Sequence, residues 1–469
     1  MSKSEFKVII VGGSIGGLTL AHCLRSAGID HIVLEKASDP APQIGASIGI
    51  LPNGARVLDQ LGLYDEVEDH IEPLSTANIG YDDGSSFSSS YPKIINERFG
   101  FPIAFLDRQK LLDILYRNYP DHSMIRLKEK VTAIETSDGG ATVTTASGSV
   151  YRGSLVAGAD GVHSTVRQEI WKMREKSGLD STLSKERSSL TAEFRCIFGI
   201  SSAIKGLDVG EQVNALFYGL TIVTIHGKDG RVYWFVIQKL DKTYTYPNCP
   251  RYTKEDTCAA AEELRGVRFY QDIIFGQIWD SRETASMMVL DEGTFKTWYH
   301  NRLVLLGDSI HKMTPNIGQG ANMAIEDAAA LTNVLRKLLK KILTPTEPQI
   351  ETILCQYRKN RYERVESIYQ SSRFLVRFQA RDGLLNTFLS RCAPYVPGDL
   401  PSDMASKTIA DGVMCNFLPT PKRSGDGWMR YRRNGQRWGW RAQITLLLVV
   451  FSILYMYFRG GDYSTHDLS

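Results

Sequence analysis

Near its start the chain has an apolar run at residues 6–11, interrupted only by Lys7, followed by a glycine-dense turn. Apolar residues at helical spacing come next (Leu18, Leu20, Ala21, Leu24, Ala27), then Gly28 and a second apolar run at 31–35. A strand without polar alternation suits a parallel sheet buried on both faces, and a helix between two such strands is the crossover. Gly28 marks the helix end. Pro and Gly crowd residues 37–52 and predict a loop there, and apolar spacing predicts helices over 55–63 and 108–119.

Short strands are expected at 124–127, 131–135 and 141–145, and the apolar run 155–159 returns to the first sheet. From about 193 to 290 the pattern shifts to longer alternating or aromatic runs, at 193–200, 215–226 and 231–238. These predict a second, mainly antiparallel sheet. A further buried parallel strand is expected at 302–306, before a Gly-rich turn and a long helix reaching Leu339. The first domain is therefore discontinuous, with parts at 1–175 and 291–345 around a second domain at 176–290. Residues 346–425 read as helices and linker.

A length of 469 residues requires more than one structural unit. The net charge of +3 hides an asymmetry, because Lys422, Arg423, Arg430, Arg432, Arg433, Arg437 and Arg441 face Asp426 alone in their segment. The remaining chain is slightly acidic, which argues against a nucleic-acid partner. Seven scattered Cys without metal-ligand spacing exclude a disulfide framework and a structural zinc site, and no metal is expected. Residues 442–458 carry no charge and, as a helix, span ~25 Å. With Arg441 and Arg459 as bounds and Trp438, Trp440, Tyr455 and Tyr457 at the ends, the run reads as a single-pass C-terminal transmembrane anchor. That reading puts the body in the cytosol, at the endoplasmic reticulum membrane. The competing readings are a buried helix of the globular body or a helix docking into another chain.

Three turns carry chemistry. The first is Gly12, Gly13, Ser14, Ile15, Gly16, Gly17, between strand and helix, with Glu35 eighteen residues beyond Gly17. In a dinucleotide fold such glycines allow the tight turn, the helix N-terminus faces a diphosphate, and the acid accepts from ribose hydroxyls. Ser14 departs from the G-x-G-x-x-G pattern at the position of closest backbone approach, but it is small and its hydroxyl can donate. The second turn is Asp160, Gly161, Val162, His163, Ser164, Thr165, Val166, Arg167, which can place a carboxylate on a hydroxyl and a guanidinium near phosphate. The third runs from Gly307 and Asp308 through His311 and Pro315 to Gly318 and Ala321. It can set Asp308 on a polyol and aim backbone amides at an electron-rich ring edge. His311, with no partner named by its spacing, reads as a hydrogen-bonded scaffold residue.

In this order and at these separations, the set resembles the group A FAD-dependent monooxygenases, which include para-hydroxybenzoate hydroxylase and, more distantly, squalene epoxidase. The stretches IVGGSIGGLTLAHCL, GASIGILPNGARVLDQLGL and LLGDSIHKMTPNIGQGANMAIEDAAAL resemble most the membrane-associated fungal epoxidases of meroterpenoid and indole-diterpene biosynthesis, as in the paxilline pathway. The resemblance implies an α/β fold: an FAD-binding Rossmann-like domain interrupted by an antiparallel substrate domain, plus C-terminal helices and the transmembrane anchor. It implies that Glu35 holds the adenosine ribose, that Gly49 and Arg108 line the FAD channel, and that Asp308 and Ala321 contact the ribityl and isoalloxazine parts. Asp160 and Arg167 are linked to FAD and to the approach of the reduced nicotinamide. Arg195 and Tyr218 are the best matches to the polar catalytic pair of the substrate domain, with Tyr233 a rival to Tyr218.

The activity implied is a monooxygenase that takes electrons from NADPH or NADH and an oxygen atom from O2 to epoxidise a small apolar prenylated substrate. Its flavin carries the oxygen chemistry while the protein binds, orients and shields. Two alternatives stand beside it. One is hydroxylation or dearomatisation of a phenolic or polyketide ring, with Arg195 binding an anionic group. The other is a non-catalytic membrane-tethered FAD-binding scaffold, favoured only by Ser14.

Overall fold

The computed structural model describes residues 6–43, 45–178, 183–395 and 400–432. Its first layer is a six-stranded sheet in the order Tyr299–His300, Leu303–Leu305, Leu155–Gly158, Lys7–Val11, Asp30–Leu34, Ile125–Arg126. All neighbours pair in parallel except Tyr299–His300, which runs antiparallel to Leu303–Leu305. Val8, Ile9 and Ile10 are completely buried, as a central strand covered on both faces requires. Helix Ile15–Ser26 packs against helix Gly320–Leu339, so the segments before and after the second domain share one core.

The second layer is an eight-stranded sheet in the order His311–Lys312, Arg282–Thr294, Thr191–Ser201, Val232–Thr245, Leu220–His226, Glu211–Phe217, Thr76–Tyr81, Ser86–Ser89. It is antiparallel except where Glu211–Phe217 runs parallel to Thr76–Tyr81. The last two strands come from before the second domain, a contribution absent from the sequence reading because both are short and polar. The run expected as one strand at 215–226 is a hairpin turning at Tyr218 and Gly219. The predicted loop at 37–52 contains the strand Ser47–Ile50, which pairs with Ala104–Asp107.

Alternation gives the large sheet two distinct faces. Phe194, Cys196, Phe198 and Ile200, with Tyr233, Ile237 and Leu290 from neighbouring strands, form one cluster. Ile197, Trp234, Val236 and Met287 point the other way, into a cluster with Phe275, Ile278 and Trp279 of helix Phe275–Asp280. The first face looks toward the glycine turns.

Among the described residues no helix is long and apolar enough to cross a membrane. This corrects the expected fold class: the α/β architecture holds, without a transmembrane element among the described residues. The long helix Glu347–Gln379 shows why, since charged residues such as Arg358, Lys359, Arg361, Glu363 and Arg364 recur along it. The run 442–458, to which the anchor is assigned above, lies outside the described residues. The stretch expected as linker carries the helix Leu400–Ala410 and then runs back across the first domain. There Gln60 Nε2 donates to the Cys415 carbonyl at 3.0 Å, and Asn333 Nδ2 to that of Met414 at 2.8 Å.

Candidate active site

The first turn is shaped by close backbone approach. Gly12 has φ +105°, and a Cβ there would lie 2.4 Å from the Ala159 oxygen of the second turn. A Cβ on Gly17 would lie 1.9 Å from the Gly12 oxygen, so Gly17 serves the turn itself and does not reach the cavity wall. Glu35 holds the turn with both oxygens: Oε2 accepts from Gly13 N at 2.6 Å and Oε1 from Ala37 N at 2.8 Å. Ser14 Oγ accepts from Arg108 at 2.8 Å, leaving its own proton free to donate. Burial lowers the Arg108 pKa, and the carboxylates of Asp308 and Glu35 oppose that shift.

The second turn differs from its expected role. Asp160 accepts from Ser164 Oγ at 2.5 Å and from the amides of Thr165 and Val166 at 2.6 and 3.1 Å, so its carboxylate caps the helix Thr165–Lys176. It still borders the cavity. Burial raises its pKa, against those hydrogen bonds. Arg167 does not line the cavity. Its buried guanidinium donates to the carbonyls of Ser309 (2.7 Å) and Val162 (2.5 Å) and stacks 4.1 Å from the Phe295 ring centroid. It ties the second turn to the third.

The third turn is held from behind. Asp327 Oδ2 accepts from Gly307 N at 2.9 Å and pairs with His311 Nε2 at 2.7 Å, while Oδ1 accepts from Arg361 Nε at 2.7 Å. Arg361 also meets Glu326, to which Arg364 contributes two bonds at 2.6 and 2.8 Å and Asn53 one at 2.7 Å. Glu326, Asp327, His311 and Arg361 are wholly inaccessible to solvent. His311 is thus a scaffold residue, as its sequence context suggests. Burial alone would raise the Asp327 pKa, but Arg361 and then His311 outweigh it and hold the carboxyl at about 2. Asn322 completes the brace, accepting from Leu51 N at 3.1 Å and donating to the carbonyls of Gly49 (2.9 Å) and Gly318 (2.8 Å).

The three turns enclose a cavity of about 750 Å³, bordered by Gly12, Gly13, Ser14, Glu35, Gly49, Arg108, Asp160, Asp308, Gly318 and Ala321. Ten of the predicted site residues therefore converge. The cavity runs from Glu129, Lys130 and Val131 at one end to Cys196, Phe198, Phe235, Met288, Val289 and Leu290 on the large sheet. Lys312, which sequence reasoning missed, also borders it and pairs with Asp308 Oδ2 at 2.5 Å. The acid at i and base at i+4 around a short turn were its readable signal. Burial would lower the Lys312 pKa, but the Asp308 carboxylate raises it overall. The donor set fits the FAD that the motifs imply: a glycine turn at a helix N-terminus beside Arg108 for the diphosphate, and a two-oxygen acid for a ribose.

Arg195 and Tyr218 are not brought to this cavity. Arg195 lies one residue from Cys196 on the same strand, so it projects from the opposite face, where Nε donates to Gln238 at 3.1 Å. Tyr218 sits in the hairpin turn, 65% exposed, with the Arg381 guanidinium 3.9 Å from its ring centroid. Tyr233 is buried on the cavity-side face, and its hydroxyl donates to Asp107, next to Arg108, at 2.9 Å. Burial and the Asp107 carboxylate raise its pKa, so it stays a neutral donor.

The profile of the FAD binding domain family matches residues 5–372. The FAD-dependent monooxygenase janM of Penicillium janthinellum is 76% identical over 458 residues, covering 97% of this chain and 94% of that protein. The FAD-dependent monooxygenase paxM of Penicillium paxilli is 67% identical, covering 97% and 96%. Among solved structures, Klebsiella pneumoniae HpxO complexed with FAD and uric acid superposes with a TM-score of 0.71 at 22% identity, covering 87% of this chain and 98% of that one. CtdE in complex with FAD and its substrate gives 0.65 at 19% identity, covering 81% and 92%.

Proposed function

Because the chain belongs to the FAD-dependent monooxygenases, carrying their FAD-binding domain over residues 5–372, we propose that it epoxidises the prenyl chain of a meroterpenoid or indole-diterpene intermediate. The observation that carries this reading is the substrate-facing wall. Cys196, Phe198, Phe235, Met288, Val289 and Leu290 offer apolar surface, with Asp291 the one charged side chain that the same strand adds to the cavity, a surface that suits a hydrocarbon and opposes an anion. An anionic phenolic substrate would need a cation on that wall, and Arg195 faces away from it.

Bound FAD supplies the redox and oxygen-transfer chemistry, with NADPH or NADH as electron donor and O2 as oxygen source. The chain's own residues perform the rest. The Gly12–Gly17 turn and Arg108 bind the diphosphate, Glu35 a ribose, and Asp308, held by Lys312 and the Gly307–Asp327 bond, a polyol hydroxyl. The apolar wall excludes water from the reacting centre and orients the alkene. The test is product analysis. Purified holoenzyme, given NADPH, air and an indole bearing a twenty-carbon prenyl chain, should add one oxygen to a chain double bond. Oxygen on the indole ring, or NADPH oxidation without product, would refute the reading.

A further inference from the structure

A second hollow of about 290 Å³ adjoins the main cavity and shares with it Gly45, Ala46, Phe198 and Met288. Its character is different. The main cavity's sheet wall is apolar from Cys196 to Leu290 and meets its one charge at Asp291, whereas the second hollow adds Gln43, Thr284 and Ser286 beside Met287. None of these three polar side chains has a hydrogen-bond partner among the described residues, and Gln43 and Ser286 are exposed. Their placement follows from the sheet. Arg282–Thr294 has the strand Thr191–Ser201 on one side, and on the other only the short His311–Lys312 at its far end. Thr284, Ser286 and Met288 stand opposite Ile200, Phe198 and Cys196. One face of one strand therefore passes from hydroxyl-bearing at the second hollow to hydrocarbon at the main cavity, with Met288 at the change.

We propose that this hollow is a head-group subsite. It takes the polar or aromatic end of a prenylated substrate, with Gln43, Thr284 and Ser286 as hydrogen-bonding groups, while the chain passes Phe198 and Met288 with its far end in the main cavity. The proposal rests on the chain-epoxidase reading above and adds a direction to it: chain inward, head at the rim. The reason is differential solvation. A hydrocarbon gains by leaving water for the apolar wall, whereas a heteroaromatic N–H or hydroxyl placed there would be left without a partner. At the rim it meets three groups able to replace its water.

Two probes and two variants of the holoenzyme test this. One probe is an indole bearing a twenty-carbon prenyl chain, and the other is the prenyl alcohol of the same chain length. Ser286→Trp fills the hollow, and Thr284→Val removes one hydroxyl at nearly constant shape. The expected result is a KM for the indole probe raised about tenfold or more by Ser286→Trp and about threefold by Thr284→Val. KM for the prenyl alcohol should change less than about twofold, with FAD content equal to wild type. Equal KM changes for both probes, or none for either, would overturn the subsite while leaving chain epoxidation standing. Oxygen on the ring in the wild-type product would overturn the direction and the epoxidase reading together.

Discussion

Asp327→Ala probes whether the buried acid-base cluster sets the turn that carries Asp308. The wild-type carboxylate satisfies Gly307 N, His311 Nε2 and Arg361 Nε, all without solvent access. Its removal leaves Arg361 and Arg364 sharing Glu326 as their only acid, an uncompensated buried charge worth about 3–5 kcal/mol. The orphaned Gly307 amide adds roughly 1 kcal/mol. A total of about 4–6 kcal/mol is a large part of a domain's net stability, and it should lower the thermal midpoint by roughly 10 °C. Because Gly307 adjoins Asp308, FAD retained through gel filtration should fall in parallel. Asp327→Asn, which keeps one acceptor oxygen, should lie between. The acid limb gives a separate readout. With the folded carboxyl at about 2 and the unfolded one near its ordinary value of 3.8, its contribution is present above pH ~4 and lost as pH falls through about 2. Its size is about 2 kcal/mol, and the Ala variant should lack it. A midpoint within about 2 °C of wild type with full FAD retention would refute the argument that this cluster positions the turn.

Ser14→Gly restores the glycine pattern but removes the oxygen that Arg108 meets at 2.8 Å. FAD affinity measured by fluorescence titration should fall about threefold to tenfold, and tighter binding would show that the serine is a defect. Asp308→Ala should reduce flavin occupancy and lower the Lys312 pKa; full occupancy with unchanged turnover would remove Asp308 from the site. Arg195→Ala should leave product formation within about twofold of wild type, since the side chain is on the far face, and a tenfold loss would contradict that placement. Tyr233→Phe deletes the bond to Asp107 and should cost about 1 kcal/mol of stability with kcat unchanged; a large kcat loss would make it a participant in the reaction.

What the sequence made legible was local. The turns at 12–17, 158–167 and 307–321 each follow a strand and precede a helix or its cap, and their residues meet partners within a few positions or across one parallel register. Gly12 against Ala159 is such a contact, fixed once the strands Lys7–Val11 and Leu155–Gly158 are neighbours. The brace behind the third turn was half legible. Glu326 and Asp327 stand out as adjacent acids in the run AIEDAAAL, but their partners Arg361 and Arg364 come from a helix more than thirty residues away.

The substrate wall was not legible, for a reason particular to its strand. In Thr191–Ser201 only the residues from Cys196 onward are buried on both faces, with Phe198 in one cluster and Ile197 in the other, while Thr191, Glu193 and Arg195 alternate with buried Ala192, Phe194 and Cys196. Polarity labels a face only when the other one meets water. A polar residue in such a strand, Arg195, then looks like the group aimed at the chemistry, when the packing gives that direction to its neighbour Cys196. The resolving information lies in the edge strand, where Thr284, Ser286 and Met288 grade from polar to apolar along one face. Only the cross-strand register, Ser286 to Phe198 and Met288 to Cys196, transfers that label to the central strand. The same register connects the apolar chamber to its polar rim, so the direction in which a substrate lies is encoded by the edge strand and not by the strand that holds the arginine.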